Sequence, residues 1–123
     1  MINYVIFLRL APAFAANLTR PGVMEAVTEA ARSGRPPDAA TLAALGLPED
    51  FITLFVKRMD YLLGLRQSGL LRAAGPFADM SEGLYVCNVS DEQQARRILE
   101  EDPLYQAGFI ERDYVVRRWL AAL

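Results

Sequence analysis

The longest regular alternation of apolar and polar positions covers residues 51–68 and predicts an amphipathic helix. At about 100° per residue, polar residues gather on one side of this helix and large apolar side chains on the other. The apolar side consists of Phe51, Leu54, Phe55, Met59, Leu62 and Leu65. Arg58 falls near the middle of that side. Because burying a guanidinium is costly unless another group pairs with it, we expect Arg58 to have a partner elsewhere in the chain.

Four other segments have the composition and alternation of strands. They are residues 2–10, 70–74, 84–89 and 109–120. A turn at residues 79–83 joins the second and third of them as a hairpin. A second helix begins at a capping box at residues 90–93 and ends before Asp102 and Pro103. The order β, α, β, β, α, β predicts an α+β ferredoxin-like domain, with both helices on one face of an antiparallel sheet.

Residues 11–47 interrupt this order and predict a helical insertion after a loop that follows the first strand. Pro21 suits the first position of one helix, and Gly34 follows its predicted end. Asp38 can cap a second, short helix, with Gly46 at its C-terminal end. Two interpretations of the insertion remain open, a packing elaboration and a lid over a pocket. In either case we expect residues 1–123 to form a single domain.

Both faces of the first and last predicted strands carry large apolar groups. In the first strand, Tyr4 and Ile6 alternate with Val5 and Phe7. One layer of helices can cover only one face of a sheet, so a second copy of the chain is expected to cover the other. The sequence therefore predicts a homodimer in which two sheets face each other as a dimeric α+β barrel.

Composition narrows the range of partners and compartments. The chain has a net charge of −2 and no basic stripe, which argues against a nucleic-acid partner. No apolar run is long enough to span a bilayer, so we expect no membrane association. The N-terminal apolar run lacks a basic start and is interrupted by Arg9 and Pro12, which indicates a strand rather than a signal peptide. We therefore expect a cytoplasmic protein.

The chain contains no histidine and a single cysteine, Cys87. The absence of histidine removes the commonest general base and the commonest metal ligand, so we expect neither a metal site nor a cofactor. One cysteine cannot form a disulfide within the chain. Its position in an apolar strand pattern predicts a small buried side chain.

Residues 51–120, together with the first strand, resemble the YCII-related family. The resemblance rests on GLLRAAGPFAD at residues 69–79 and on EEDPLYQAGFIERDYVVRRW at residues 100–119. It implies a dimeric ferredoxin-like barrel similar to muconolactone isomerase and EthD-type proteins. Characterised relatives include a dehydrochlorinase that acts on a chlorinated hydroxyquinone, so the resemblance implies a cofactor-independent lyase or isomerase.

The family is credited with a His-Asp pair in a pocket between sheet and helices. Its aspartate matches Asp102, and its histidine position, counted back from Gly75 and Pro76, falls on Arg58. Arginine keeps its proton at any usable pH and cannot replace histidine as a base. Arg58 and Asp102 could instead act as a catalytic clamp, in which Arg58 holds a carboxylate or enolate while Asp102 orients it or takes a proton. The alternative is a structural ion pair.

We expect the side chains of Arg58 and Asp102 to approach within about 3–6 Å. A rival interpretation is that Asp102 only forms a local turn by accepting hydrogen bonds from nearby backbone amides.

Three further residues are candidate ligand contacts. They are Tyr61 on the long helix, Pro76 in the Gly-Pro motif and Tyr105 in the DPLYQAG loop. Tyr61 and Tyr85 could equally belong to the core or to a pocket wall. Two functions remain open. The first is a cofactor-independent lyase or isomerase acting on a small cyclic, anionic metabolite. The second is a non-catalytic protein that has lost the family's histidine and binds a small molecule or only dimerises.

Overall fold

The structure, a computed structural model, describes residues 1–122 and contains within them a four-stranded sheet. The strands are β1 (Ile2–Arg9), β2 (Leu71–Pro76), β3 (Glu82–Val89) and β4 (Val115–Arg118). Their order across the sheet is β2-β3-β1-β4, and each neighbouring pair is antiparallel.

Helices fill the connections between these strands. They are α1 (Pro12–Leu18), α2 (Val23–Ser33), α3 (Ala39–Ala44), α4 (Glu49–Gln67), α5 (Glu92–Glu100) and α6 (Pro103–Gln106). With α4 and α5 as the main crossovers, the chain follows the βαββαβ order. The strand order and this connectivity confirm the α+β ferredoxin-like fold predicted from the sequence.

The core lies between one face of the sheet and the helices. Alternate residues of β1, among them Tyr4, Ile6 and Leu8, are buried as the period-two pattern predicts. The insertion is anchored in this core by Phe14 of α1, whose ring lies 5.0 Å from that of Phe51 between ring centroids. Burying this aromatic cluster fixes α1 against α4.

Two local predictions were wrong. Residues 12–18 were expected in a loop, but they form α1, because Pro12 is tolerated in the first turn of a helix and begins this one. The second helix was expected to begin with a capping box at residues 90–93. Its N-cap is Asp91, whose carboxylate accepts a hydrogen bond from the Gln94 backbone amide at 2.8 Å.

The last strand is much shorter than the predicted 109–120. Before Val115 the chain makes only one isolated bridge, between Ile110 and Leu10, and then turns. Val115 pairs with Phe7, and β1 continues past this pair through Leu8 to Arg9, so the end of β1 does not limit β4. The chain instead makes a turn at Arg112 and Asp113, and regular pairing with β1 begins only after it.

The insertion forms the expected helices in addition to α1. Gly22 and Gly34, with φ of +88° and +72°, lie at the two ends of α2 and adopt the left-handed conformation that glycine favours. Asp38 caps α3 by accepting a hydrogen bond from the Ala40 amide at 3.1 Å. Helix α2 packs mainly on α1 and α3, and Val23 is its one fully buried residue.

The face of the sheet opposite the helices is apolar and open. Phe7 lies between Leu84 and Val115 on the neighbouring strands, and the side chains of Phe7 and Val115 are 43% and 50% exposed. The two-sided apolar pattern of β1 is therefore present in the folded chain. The homodimer expected from that pattern stays a prediction. Within the described residues, the helices are too short or too polar to cross a membrane.

Candidate functional site

Arg58, Tyr85 and Asp102 form a hydrogen-bonded network that joins α4, β3 and the start of α6. Arg58 donates from Nε to Asp102 Oδ2 at 3.4 Å and from Nη2 to the Tyr85 hydroxyl oxygen at 2.7 Å. The Tyr85 hydroxyl in turn donates to Asp102 Oδ2. The approach of Arg58 to Asp102 that the sequence predicted is therefore confirmed.

Asp102 has two structural roles at once. Its side chain is fully buried, and its Oδ1 accepts a hydrogen bond from the Leu104 backbone amide at 2.8 Å, which caps α6. The other oxygen, Oδ2, accepts from Arg58 and Tyr85. The interpretation that Asp102 only forms a local turn is therefore wrong, because its two oxygens allow it to accept from a nearby backbone amide and to pair with Arg58.

Tyr85 is the member of this network whose role the sequence analysis missed. The alternation of β3 places its side chain on the buried face, opposite Ala74 of β2 in the antiparallel register. This alternation was visible in the sequence, and it marked Tyr85 as core or pocket wall. No spacing rule connects a strand residue with Arg58, which lies 27 positions earlier in the chain.

The surroundings of Arg58 and Tyr85 raise the pKa values of both side chains. Burial lowers the pKa of Arg58, but the influence of Tyr85 and Asp102 outweighs burial, so its pKa lies above the ordinary value. Burial is also the main reason why the pKa of Tyr85 is raised, although Arg58 opposes the increase. Near neutral pH, Arg58 therefore remains charged and the Tyr85 hydroxyl keeps its proton.

A pocket of about 420 Å³ lies between α2, α4 and β2, with Arg58 in its wall. Most of the lining is aliphatic or aromatic, and it includes no aspartate or glutamate. The insertion contributes Leu18, Met24, Val27, Thr28 and Ala31. The insertion thus forms one wall of the pocket in addition to packing on the core.

One nitrogen of Arg58 remains available at this wall. Within residues 1–122, every buried side-chain nitrogen or oxygen has a hydrogen-bond partner. The bonds of Arg58 use Nε and Nη2 but not Nη1, so Nη1 is not completely buried, and the side chain keeps 12% of its surface exposed. Asp102 and Tyr85 are not among the lining residues. A molecule in the pocket would therefore meet Arg58 and not the residues that hold it.

Of the three other candidate ligand contacts, one lines the pocket and two lie outside it. Pro76 lines the pocket with the rest of β2. Tyr61 does not line it, and its hydroxyl donates to the Ile98 carbonyl at 2.7 Å. Tyr105 is also outside the lining, and its hydroxyl accepts from Arg112 Nη1 at 3.1 Å. The ligand roles of all three residues stay predictions.

Metal-binding and nucleophilic groups are sparse in the part of the chain that the structure describes. Among residues 1–122, no cluster of three or more His, Cys, Asp or Glu side chains could hold a metal ion. Cys87 is buried, as expected, and burial raises the pKa of its thiol to about 12. Such a thiol is a poor nucleophile at neutral pH.

The protein has an α+β ferredoxin-like fold, with a pocket beside the hydrogen-bonded network of Arg58, Tyr85 and Asp102. Residues 49–120 match the YCII-related domain, so the chain belongs to the YCII-related family, as the sequence motifs predicted. The matched region contains all three network residues, whereas β1 and the helices α1–α3 lie outside it.

Among solved structures, the chain is similar to 5-chloro-2-hydroxyhydroquinone dehydrochlorinase from Burkholderia phenoliruptrix AC1100, in complex with 2,5-dihydroxybenzoquinone. The identity is 18% and the TM-score is 0.44, over 94% of this chain and 92% of that chain. No curated protein matches the chain.

Proposed function

We propose that this protein binds a small molecule in the pocket between α2, α4 and β2, with Arg58 Nη1 as the polar contact. The observation that carries the proposal is a part-buried guanidinium, held by two hydrogen bonds, whose third nitrogen makes none, in a wall that is mostly apolar. A pocket of about 420 Å³ falls in the size range of small-molecule sites, which are mostly apolar with a few well-placed polar groups.

Arg58 is well prepared to bind because Asp102 and Tyr85 already hold it in place. An exposed arginine loses rotamer freedom when it binds a ligand, whereas Arg58 is already held by two hydrogen bonds. Hydrogen bonds from a charged donor are also stronger than those between neutral groups. In this proposal, Asp102 acts through Arg58 as a positioning residue.

We place binding ahead of catalysis because the pocket wall holds no group suited to take a proton. Asp102 accepts three hydrogen bonds behind Arg58, and arginine itself does not act as a base. The second candidate is a cofactor-independent lyase or isomerase on a small cyclic metabolite. It is favoured by the position of Arg58 Nη1, which could stabilise an enolate formed from an already acidic substrate.

A thermal-shift screen against phenols, ketones and small carboxylates tests the binding proposal. A ligand at a hundred times its Kd adds about 2.7 kcal/mol to the stability of the native state and so raises the Tm. We expect Ala31→Leu, which fills the pocket, to remove the shift, and Ala16→Leu, at an exposed position of α1, to keep it. Ligands that stabilise the wild type and Ala31→Leu equally would bind outside the pocket and contradict the proposal.

A second experiment separates binding from catalysis. Each ligand that passes the screen is incubated with the protein in D₂O and followed by proton NMR. A lyase or isomerase would eliminate a group, rearrange the ligand or exchange an acidic C–H proton, and Arg58→Lys would slow the change. A binding protein would return the ligand unaltered over the same period.

We also propose that two copies pair through the open face of the sheet to form the dimeric barrel. The support is the apolar, exposed pair of Phe7 and Val115 next to the strand residue Leu84. A stable interface should bury more than about 1,200 Å² in total. Light scattering should give a dimer for the wild type and a monomer for Phe7→Lys, and a wild-type monomer at micromolar concentration would refute the proposal.

A further inference from the structure

Arg58 and Arg66 of α4 both line the pocket, but only Arg58 is paired with a carboxylate. We infer the polarity of the ligand from this difference. The ligand carries a neutral hydrogen-bond acceptor that meets Arg58 and an anionic group that meets Arg66, with an apolar body between them. This inference rests on the proposed function, because it concerns the ligand of the same pocket. The anionic group then lies away from Arg58, where the sequence predicted a carboxylate or enolate and where the lyase or isomerase alternative requires an enolate.

The charge of Arg58 is already compensated. Its Nε lies 3.4 Å from Asp102 Oδ2, and the two side chains are 12% and 0% exposed. An anionic group bound to Nη1 would add a net negative charge to a pair that is neutral and poorly hydrated, which is costly. A carbonyl oxygen would accept the same charge-assisted hydrogen bond without adding charge.

The charge of Arg66 is not compensated by the residues that the structure describes. Arg66 is exposed in the last turn of α4, lines the pocket, and makes no ion pair or side-chain hydrogen bond within residues 1–122. Arg72 of β2 also lines the pocket and donates to Asn3 Oδ1 at 3.4 Å, and no acidic residue shares the lining with these arginines. A carboxylate at this end would find an available guanidinium, which suits bidentate carboxylate recognition.

The two arginines are spaced for one small ligand. They lie eight residues apart on the same helix, which corresponds to about 12 Å along its axis, and Leu62 lies between them in the same i, i+4 row. The exposed side chain of Arg66 can shorten the distance between the two groups, since Arg58 is held in place. Leu62 and Met59 of α4 face the apolar residues of α2 across the pocket and suit an aromatic or aliphatic body.

Four para-substituted benzenes test the inference by isothermal titration. The probe is 4-acetylbenzoate, which has a ketone oxygen at one end and a carboxylate at the other. In 4-ethylbenzoate the ketone oxygen is missing, in methyl 4-acetylbenzoate the charge is missing, and terephthalate is charged at both ends. We expect 4-acetylbenzoate to bind most tightly and 4-ethylbenzoate about tenfold more weakly, because a hydrogen bond to a charged donor is lost.

Protein variants locate the two ends. Arg66→Gln should weaken 4-acetylbenzoate about three- to fivefold, the range of an exposed ion pair, and leave the methyl ester unaffected. Lys57→Gln removes the same charge from the exposed side of the same helix, outside the pocket, and should change the affinity less than twofold. Added salt should weaken the acid but not the ester.

The outcomes separate the inference from the proposed function. If terephthalate binds more tightly than 4-acetylbenzoate, or if Arg66→Gln has the same effect on acid and ester, the inferred polarity is overturned while the pocket remains a binding site. If no probe binds the wild type, or if binding survives Ala31→Leu unchanged, the proposed function is refuted and the inference with it.

Discussion

Replacing Tyr85 by phenylalanine tests the buried network most directly. The substitution removes one oxygen and keeps the ring, so it leaves no large cavity in the core. The lost hydroxyl accepts from Arg58 Nη2 at 2.7 Å and donates to Asp102 Oδ2. Both partners are charged and nearly enclosed, so water cannot replace the hydroxyl without opening the structure.

The expected destabilisation follows from the number and type of bonds lost. Hydrogen bonds to charged groups contribute about 1.5–3 kcal/mol each. Asp102 still accepts from Arg58 Nε and the Leu104 amide, and Arg58 keeps its ion pair. The loss should therefore lie between one and two such bonds. We expect Tyr85→Phe to lower the free energy of unfolding by about 2–4 kcal/mol.

Tyr61→Phe is the matched control. The Tyr61 hydroxyl donates to a neutral acceptor, the Ile98 carbonyl, at 2.7 Å, so its loss should cost about 0.5–1.5 kcal/mol. Urea unfolding measures both variants, and unchanged m-values would show that the denatured states are comparable. If Tyr85→Phe is no more destabilising than Tyr61→Phe, the network is not a charge-coupled unit and our reasoning is wrong.

Three further predictions concern the same core. Arg58→Ala should lower the free energy of unfolding by about 3–5 kcal/mol, because it leaves the carboxylate of Asp102 buried without its cation. The double variant with Asp102→Ala should lose less stability than the sum of the two single variants, and simple additivity in this double-mutant cycle would show that the residues are not coupled. Because the pKa of Tyr85 is raised, above about pH 10 the unfolded chain releases a proton that the folded chain retains, so the free energy of unfolding should fall as pH rises. Urea titrations at alkaline pH should show a shallower fall for Tyr85→Phe than for the wild type, and equal pH slopes for the two proteins would contradict this. Because burial raises the pKa of Cys87 to about 12, a thiol reagent should modify the native protein only at the rate of opening, and rapid labelling without denaturant would disprove it.

The pairing of Arg58 and Asp102 could be predicted because each residue has a strong local signal. Helical periodicity places Arg58 on an apolar side, where a charge needs a partner. The Asp-Pro pair marks the end of the preceding helix, and in the structure Asp102 also caps α6, which was not predicted. The family resemblance connected the two positions, which are 44 residues apart.

The edges of the elements were less predictable. The length of β4 depends on which of its residues pair with β1, and only Val115–Arg118 do so in a continuous register. Backbone pairing across a sheet is a contact between distant parts of the chain. Propensity and alternation within one segment therefore do not set its length.

The sequence by itself determined the order of the four strands and the two main helices, the ferredoxin-like fold, the YCII-related family and the need of Arg58 for a partner, but not α1 or α6. These depend on periodicity, capping and motif spacing, which are properties of neighbouring residues. Only the tertiary structure decided that Tyr85 joins Arg58 to Asp102, that α2 forms a pocket wall and that Arg58 Nη1 is not completely buried there. Those features depend on strand register and on the packing of helices far apart in sequence, and no local pattern encodes the distances between them.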